Sequence, residues 1–207
     1  MALTLPQFPV GSVLMPYMPV ELRVFEPRYL NLMGELMTAE HPVFGIPLYG
    51  PDGDTVGPPS VRTVGTVARI DDFGMTGDFM GITGTGTRRY LVTRWLDPAP
   101  YPRAEIEYLP ELEWDERLDS RRMQLELEVR NLLARASRYG ALQWDADTEI
   151  AEDPVASVWQ LAGMLPVQGA ELHTLLASEN LEDLIERALA VCAGGNYFLD
   201  ELEREGE

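Results

Sequence analysis

Hydrophobic residues alternate with charged ones near the start of the chain and predict a half-buried strand. Between Met18 and Phe25 the pattern alternates, with Val20, Leu22 and Val24 on one face and Glu21 and Arg23 on the other. Pro27 then predicts the start of a helix, because proline in the first turn loses no hydrogen bond and holds the preceding residue extended. An apolar stripe at helical spacing follows and would seat this helix on a sheet until about Ala39.

Short segments separated by glycine and proline predict further strands up to about residue 110. They read PVFGIPLYG, VRTVGTVARI, FMGITGTGTRRYLVTRWL and RAEIEYL. The segment PDGDTVGPPS predicts a polar loop at the tip of a long hairpin, and DDFGMTGD predicts a turn. Gly81, Gly84 and Gly86 do not fit a phosphate-binding loop and instead predict bulges or tight bends. The spacing favours a small antiparallel barrel or sandwich.

The second half of the chain changes to a helical period. A long helix is predicted over residues 115–139, with Gly140 as its C-cap. Asp153 and Pro154 form an N-cap and first-turn pair that opens the next helix.

Two shorter helices are predicted near residues 168–177 and 179–192, the last closed by Gly194-Gly195. We therefore predict an α+β protein. Its β-rich domain, with one inserted helix, covers residues 1–112, and a helical domain with an acidic C-terminal tail covers residues 113–207.

Charge is distributed unevenly along the chain. Residues 1–103 hold eight arginines and ten acids, whereas residues 104–207 hold eight arginines and 24 acids, within a net charge of -18. Such a field repels phosphate polyanions and disfavours binding to nucleic acids and anionic membranes. No segment approaches the apolar length of a membrane span, and the opening stretch lacks the basic region of an export signal. With Cys192 as the single cysteine, we expect a cytoplasmic protein.

The sequence lacks residues that several enzyme classes require. All 16 basic residues are arginine, so this chain has no Walker A lysine and no Ser-Lys dyad. None of the six serines lies in a G-x-S-x-G context, and DFG at residues 72–74 lacks the other kinase motifs. His41, His173 and Cys192 do not have the close spacing of a metal site. We therefore predict no catalytic residue, no metal and no cofactor.

Glu26, Arg28 and Tyr29 form a group that opposes local propensity. Glutamate is not a preferred N-cap residue, and an arginine in the first helical turn opposes the helix dipole. We expect a nonlocal contact to compensate for both. In a structural interpretation the group locks the helix to the sheet; in a functional one it lines a recognition cleft.

The stretch LPQFPVGSVLMPYMPVELRVFEPRY, followed by FGIPL and VGTVARI, resembles the N-terminal substrate-binding domain of Lon proteases in order and spacing. Gly86, Arg89 and Tyr90 look like that domain's G-x-x-R-aromatic strand, and the helical segments after Asp153 are similar to its helical part. The resemblance covers residues 3–190 and implies a PUA-like pseudo-barrel joined to a small helical bundle.

In Lon proteases this region helps to recognise unfolded or tagged protein substrates, while ATP hydrolysis and peptide cleavage reside in later domains. This chain ends before either of those domains. The resemblance therefore implies a stand-alone, non-catalytic module that binds an unfolded or tagged polypeptide or a protein partner, with an adaptor role in protein quality control. The oligomeric state stays open.

We predict a recognition surface in which aromatic rings supply contact area and arginines supply direction. Its residues are Phe25, Glu26, Arg28, Tyr29, Arg89 and Tyr90. Two alternatives stay open. One is a small-molecule-binding or hydrolytic protein that uses His41 or His173 in the barrel cleft. The other is an RNA-binding PUA-like module, which needs a continuous arginine patch and is disfavoured by the charge.

Overall fold

A computed structural model describes residues 3–49 and 61–205, and the chain divides into two compact units, Met1–Glu111 and Leu112–Glu207. The first unit is built from six strands and one helix within the described residues. In chain order these are β1 (Leu3–Pro6), β2 (Pro19–Val24), α1 (Pro27–Leu36), β3 (Val43–Tyr49), β4 (Val61–Thr76), β5 (Phe79–Trp95) and β6 (Arg103–Tyr108).

Strand β5 organises an antiparallel sheet. One side of β5 pairs with β4 along most of its length, while the other side pairs first with β2 and then with β6. Strand β1 adds to β6, and β3 adds to β4. The chain after β1 then reaches β3, where the Phe8 N–H donates to the Gly45 carbonyl at 2.8 Å and the Val10 N–H to the Pro47 carbonyl at 3.2 Å. These bonds join the two ends of the sheet, as a pseudo-barrel requires, and the predicted α+β class is confirmed.

The core of this sheet contains one fully buried phenol. The Tyr90 hydroxyl lies 2.6 Å from Gln7 Oε1, to which it donates, and Gln7 Nε2 donates in turn to the Leu5 carbonyl at 3.1 Å. A Cβ atom on either Gly45 or Gly65 would lie 2.5 Å from this hydroxyl. Tyr90 therefore requires glycine on both neighbouring strands, β3 and β4.

The glycines of β5 also serve close packing. A Cβ atom on Gly84 would lie 2.5 Å from the Arg69 carbonyl oxygen, and one on Gly86 would lie 2.3 Å from the Met15 carbonyl oxygen. The ladder between β4 and β5 shifts register twice, once next to Asp71. Glycine here admits neighbouring backbone, which explains a pattern that superficially resembles a phosphate-binding loop.

The turn predicted at DDFGMTGD is wrong in position. Asp72, Phe73 and Gly74 belong to β4, which continues to Thr76, and the turn lies at residues 77–78 with Gly77 at φ +61°. Pairing with β5 overrides the turn propensity of the two aspartates. The loop predicted at residues 51–60 lies outside the described residues.

The second unit is helical. Its elements are a 3-10 turn (Glu116–Leu118), α2 (Asp119–Ala136), α3 (Pro154–Met164), α4 (Ala170–Leu176) and α5 (Leu181–Glu205). Helix α3 begins as predicted, because the Asp153 carboxylate accepts the Ala156 N–H at 2.8 Å and Pro154 occupies the first turn. Within the two described ranges, no helix combines the length and apolar character needed to cross a membrane.

Two glycine predictions in this unit are wrong. Helix α2 ends at Ala136, before Gly140, and α5 continues through Gly194-Gly195 to Glu205. A Cβ atom on Gly195 would lie 3.0 Å from Leu132 Cδ1, so glycine here lets α2 and α5 approach closely. Arg135 of α2 also donates to Asp200 Oδ1 at 2.6 Å, beyond the predicted end of the helix. Tertiary packing thus outweighs the helix-ending tendency of glycine.

We predict that Gly65→Ala destabilises the protein by about 1–3 kcal/mol, because the new methyl group overlaps the Tyr90 hydroxyl. Gly34→Ala is the matched control: it lies in α1 with no atom within 4 Å of the added carbon. It should stabilise the fold by about 0.5–1 kcal/mol, the usual effect of replacing a helical glycine. Urea denaturation measures both values. Effects of the same sign in the two variants would contradict the packing role of Gly65.

Candidate functional site

Three of the six predicted site residues lie at the surface around the start of α1. Phe25 is 66% exposed, and Glu26 and Arg28 form an ion pair with 2.7 Å between Oε2 and Nη2. The Arg28 guanidinium also lies 4.7 Å from the centroid of the Tyr29 ring. The Glu26 carboxylate thus offsets the charge of Arg28 in the first turn of α1.

The other three predicted residues are buried. Tyr29 packs against Phe8 with their ring centroids 4.2 Å apart, and Tyr90 is 0% exposed. Arg89 is 6% exposed and donates to the Pro110 carbonyl at 3.1 Å, and burial lowers the pKa of its guanidinium. A partner cannot touch Tyr90 in this conformation. The predicted surface therefore reduces to Phe25, Glu26 and Arg28.

Phe25 follows the end of a three-stranded ribbon formed by β2, β5 and β4. We call the paired residues 20–24 and 72–84, together with the adjacent Phe25, the ribbon tip. Opposite residues in neighbouring strands share a face of a sheet. One face, which we call the core face, carries two apolar rows: Leu22, Ile82 and Phe73, then Val24, Met80 and Met75.

The core face runs from the interior to the surface. Ile82 and Val24 are buried, whereas Phe73 is 46% exposed and Met75 is 67% exposed. Both exposed residues belong to β4, the outer strand of the ribbon. An apolar strip that is continuous with the core therefore reaches solvent at this edge, as interaction surfaces commonly do.

The opposite side of the ribbon tip, which we call the open face, combines aromatic and cationic groups. Residue alternation places Phe25 on the same face as Arg23, whose guanidinium carbon lies 5.4 Å from the Phe79 ring centroid. The residues opposite Arg23 on β5 and β4 are Gly81 and Gly74, which have no side chain, and a Cβ atom on Gly74 would meet no atom within 4 Å. The open face thus offers aromatic area beside a positive charge.

Sequence reasoning missed Phe73, Met75 and Phe79 as surface residues. The signal was present, since phenylalanine and methionine alternate with small or polar residues in DDFGMT, as in a strand. The aspartates and glycines of the same segment favoured a turn and hid that alternation.

The groups considered for catalysis do not assemble into a site. His41 is exposed in the first unit, and His173 lies on α4 in the second. Within residues 3–49 and 61–205 no three His, Cys, Asp or Glu side chains are grouped to hold a metal. Burial raises the pKa of Cys192 to about 12, which suppresses its thiolate.

A cavity of about 420 Å³ opens in the helical unit. Its charged lining residues include Asp115, Arg117 and Arg121. Arg117 pairs with Asp115 and lowers the pKa of that carboxyl to about 2, and Arg121 lies 3.2 Å from Glu186. These arginines therefore already have carboxylate partners.

Comparison with known proteins identifies relatives over almost the whole chain. The sequence model of the ATP-dependent protease La (LON) substrate-binding domain matches residues 4–191. The crystal structure of a Lon N-terminal domain protein from Xanthomonas campestris has 24% identity and a TM-score of 0.63, with 91% of this chain and 98% of that chain covered. The N-terminal domain of the Mycobacterium avium complex Lon protease has 15% identity and a TM-score of 0.68, with coverage of 92% and 98%. No curated protein sequence matches the chain.

Helix α1, which has Glu26 as its N-cap and contains Arg28, is held by a contact whose contribution to stability should depend on pH. The Tyr101 hydroxyl donates to Glu35 Oε2 of α1 at 2.6 Å, and burial, then this bond, raises the pKa of Tyr101 from 10.0 to about 12. The resulting stabilisation is complete below pH 10 and is lost as the pH rises towards 12. Tyr101→Phe should therefore cost about 1 kcal/mol at neutral pH, and the gap to wild type should shrink above pH 10.

Urea denaturation from neutral pH upwards measures this gap. Tyr197→Phe, at a 66% exposed position, is the control and should differ little from wild type at neutral pH. A constant gap between wild type and Tyr101→Phe across the range would show that the Tyr101 proton does not stabilise the fold.

Proposed function

This chain belongs to the family of Lon substrate-binding domains, and we propose that it is a non-catalytic module that binds extended, apolar segments of proteins at the ribbon tip. The observation that supports this proposal is the strip of apolar side chains that leaves the core and ends in solvent at Phe73 and Met75. Phe25 and Phe79 add aromatic area on the opposite face. A binding module needs such area because hydrophobic contact supplies most of its affinity.

Both faces suit polypeptides rather than small molecules. Phe73 and Met75 at the β4 edge and Phe25 next to β2 are exposed, whereas small-molecule sites are concave and enclose most of their ligand. The rings of Phe25 and Phe79 and the thioether of Met75 can contact many different apolar side chains. The Arg23 guanidinium can stack on an aromatic ring of the ligand or donate a hydrogen bond to one of its carbonyl groups. These features favour loose sequence specificity.

Charge restricts the range of partners. The chain carries a net charge of -18, which attracts basic segments and repels acidic ones at long range. Nucleic acids are disfavoured for the same reason. We therefore propose neutral or basic unfolded segments as the bound class.

The proposed cellular role is that of an adaptor that presents bound polypeptides to a separate protease. This chain contains no lysine and therefore builds neither a Ser-Lys dyad nor a P-loop. A protein that binds polypeptides without cleaving them can serve protein quality control. We propose that the protein is located in the cytoplasm.

The test uses fluorescently labelled, reduced and carbamidomethylated lysozyme as a permanently unfolded and basic probe, with fluorescence anisotropy as the measurement. Phe25→Ser should raise Kd by about tenfold, the typical loss for an exposed aromatic anchor. Phe198→Ser is the matched control, because Phe198 is 62% exposed but lies on α5 in the other unit. It should change Kd less than about twofold.

The competing classes of ligand are tested in the same assay. Unlabelled single-stranded RNA at low salt should not displace the probe. Equal affinities of wild type and Phe25→Ser, or efficient displacement by RNA, would contradict a polypeptide site on the open face.

A further inference from the structure

Among the residues that the structure describes, no strand pairs with the outer edge of β4 at the ribbon tip. The Ile70 N–H still donates to the Pro42 carbonyl at 3.0 Å, next to β3. Beyond that point, and within the described residues, β5 is the paired neighbour of β4. The opposite edge of β4, from Asp72 to Thr76, therefore faces outwards.

The hairpin geometry fixes which backbone groups point to this edge. A two-residue turn at Gly77 and Asp78 makes Thr76 and Phe79 the pair that exchanges hydrogen bonds, and such pairs alternate along an antiparallel ladder. Phe73 and Met75 are then non-hydrogen-bonded residues with respect to β5. Their N–H and C=O groups point away from β5.

A side-chain contact supports this assignment. The Phe73 N–H donates to Asp72 Oδ1 at 2.9 Å, so this amide bonds the preceding side chain instead of a carbonyl of β5. The carboxylate occupies the position that a carbonyl of an added strand would take. Charged groups at sheet edges commonly prevent uncontrolled pairing.

We infer that this edge accepts an extended polypeptide as an additional strand, with backbone bonds to Phe73 and Met75. This inference rests on the proposed function and specifies how the ligand is held. Backbone pairing supplies affinity without regard to sequence, and alternate side chains of the ligand contact the core face beside Phe73 and Met75. On the opposite face, Gly74 leaves open space for the remaining side chains.

The acidic surroundings define the occupant. Asp71, Asp72 and Asp78 lie along this edge and its turn, and Arg69, two residues before Asp71 on β4, donates to Asp71 at 2.9 Å. The expected ligand is therefore a segment with apolar residues at alternate positions and basic residues at its ends. A second copy of this chain is disfavoured, because its β4 edge would bring the same aspartates opposite these.

The experiment measures binding of a labelled peptide of alternating valine and threonine with arginines at both ends. Two reference peptides separate backbone from charge effects: one with N-methyl groups on alternate residues and one with glutamates at both ends. Wild-type protein should bind the first peptide, and each change should raise Kd by about tenfold or more. An N-methylated peptide that binds as tightly as the unmodified one would overturn the inference.

Two variants at one position test the protein side. Met75→Pro removes the outward N–H without removing a bond to β5, whereas Met75→Thr keeps the N–H and removes the apolar side chain. Met75→Pro should weaken peptide binding more than Met75→Thr, with both variants shown to be folded by circular dichroism. If the Met75→Pro variant binds the peptide as tightly as the wild type does, the inference is wrong. It is also wrong if the wild type self-associates and Met75→Pro abolishes that self-association, because the occupant of the edge is then a second copy of this chain.

The failures of the two proposals are distinguishable. If Phe25→Ser weakens binding of unfolded lysozyme while Met75→Pro does not, the open face binds polypeptides and strand addition is wrong. If neither protein nor peptide probe binds the wild type, the proposed function itself is wrong.

Discussion

The Tyr90 phenol is the contact on which the arrangement of the sheet depends. It comes from β5, lies across Gly45 of β3 and Gly65 of β4, and donates to Gln7 in the segment that follows β1. Complete burial raises the pKa of Tyr90 well above its ordinary value, so the hydroxyl remains a neutral donor. Four parts of the chain are thereby held at one point, and none of them can shift register without losing either a hydrogen bond or a close fit.

This fixed point divides β5 into two parts with different surroundings. Its second half pairs with β6 inside the closed sheet, while its first half pairs with β2 and β4 in the ribbon tip. The bulge at Asp71, where Thr85 and Arg69 both bond the carboxylate and lower its pKa, lies on β4 close to where the two parts meet. Bulges increase local twist and redirect a strand. The rigid sheet thus supports a ribbon whose outer strand projects apolar residues.

The sequence was sufficient where local rules and tertiary contacts agree. The alternation in β2, the proline that opens α1 and the Asp153 cap all follow from short-range chemistry and were predicted correctly. It was insufficient where partners far along the chain decide. Pairing with β5 extends β4 through Phe73, and Leu132 packs where Gly195 was expected to end a helix. These partners lie too far away in sequence for a local pattern to show them.

The same distinction applies to the site. Glu26 and Arg28 were found because they oppose local preferences, and Phe25 was found because its ring offers contact area; all three are at least partly exposed. Tyr29 and Tyr90 have similar charged neighbours in sequence but point into the core, and adjacency alone does not reveal which side of a strand or helix faces water. Phe73 and Met75 were missed because their exposure depends on β4 being an edge, which is a property of the whole sheet.

The carboxylate of Asp72 has a consequence for how a ligand would be admitted. Because it already satisfies the Phe73 amide, a passing chain gains nothing by offering a single carbonyl. If the edge accepts a strand as inferred, net gain would begin only when several backbone groups and apolar side chains engage together, so the contact would set a threshold length for capture. A short or structured segment would fall below that threshold, and the edge would distinguish an unfolded chain from a folded one by cooperativity instead of by sequence.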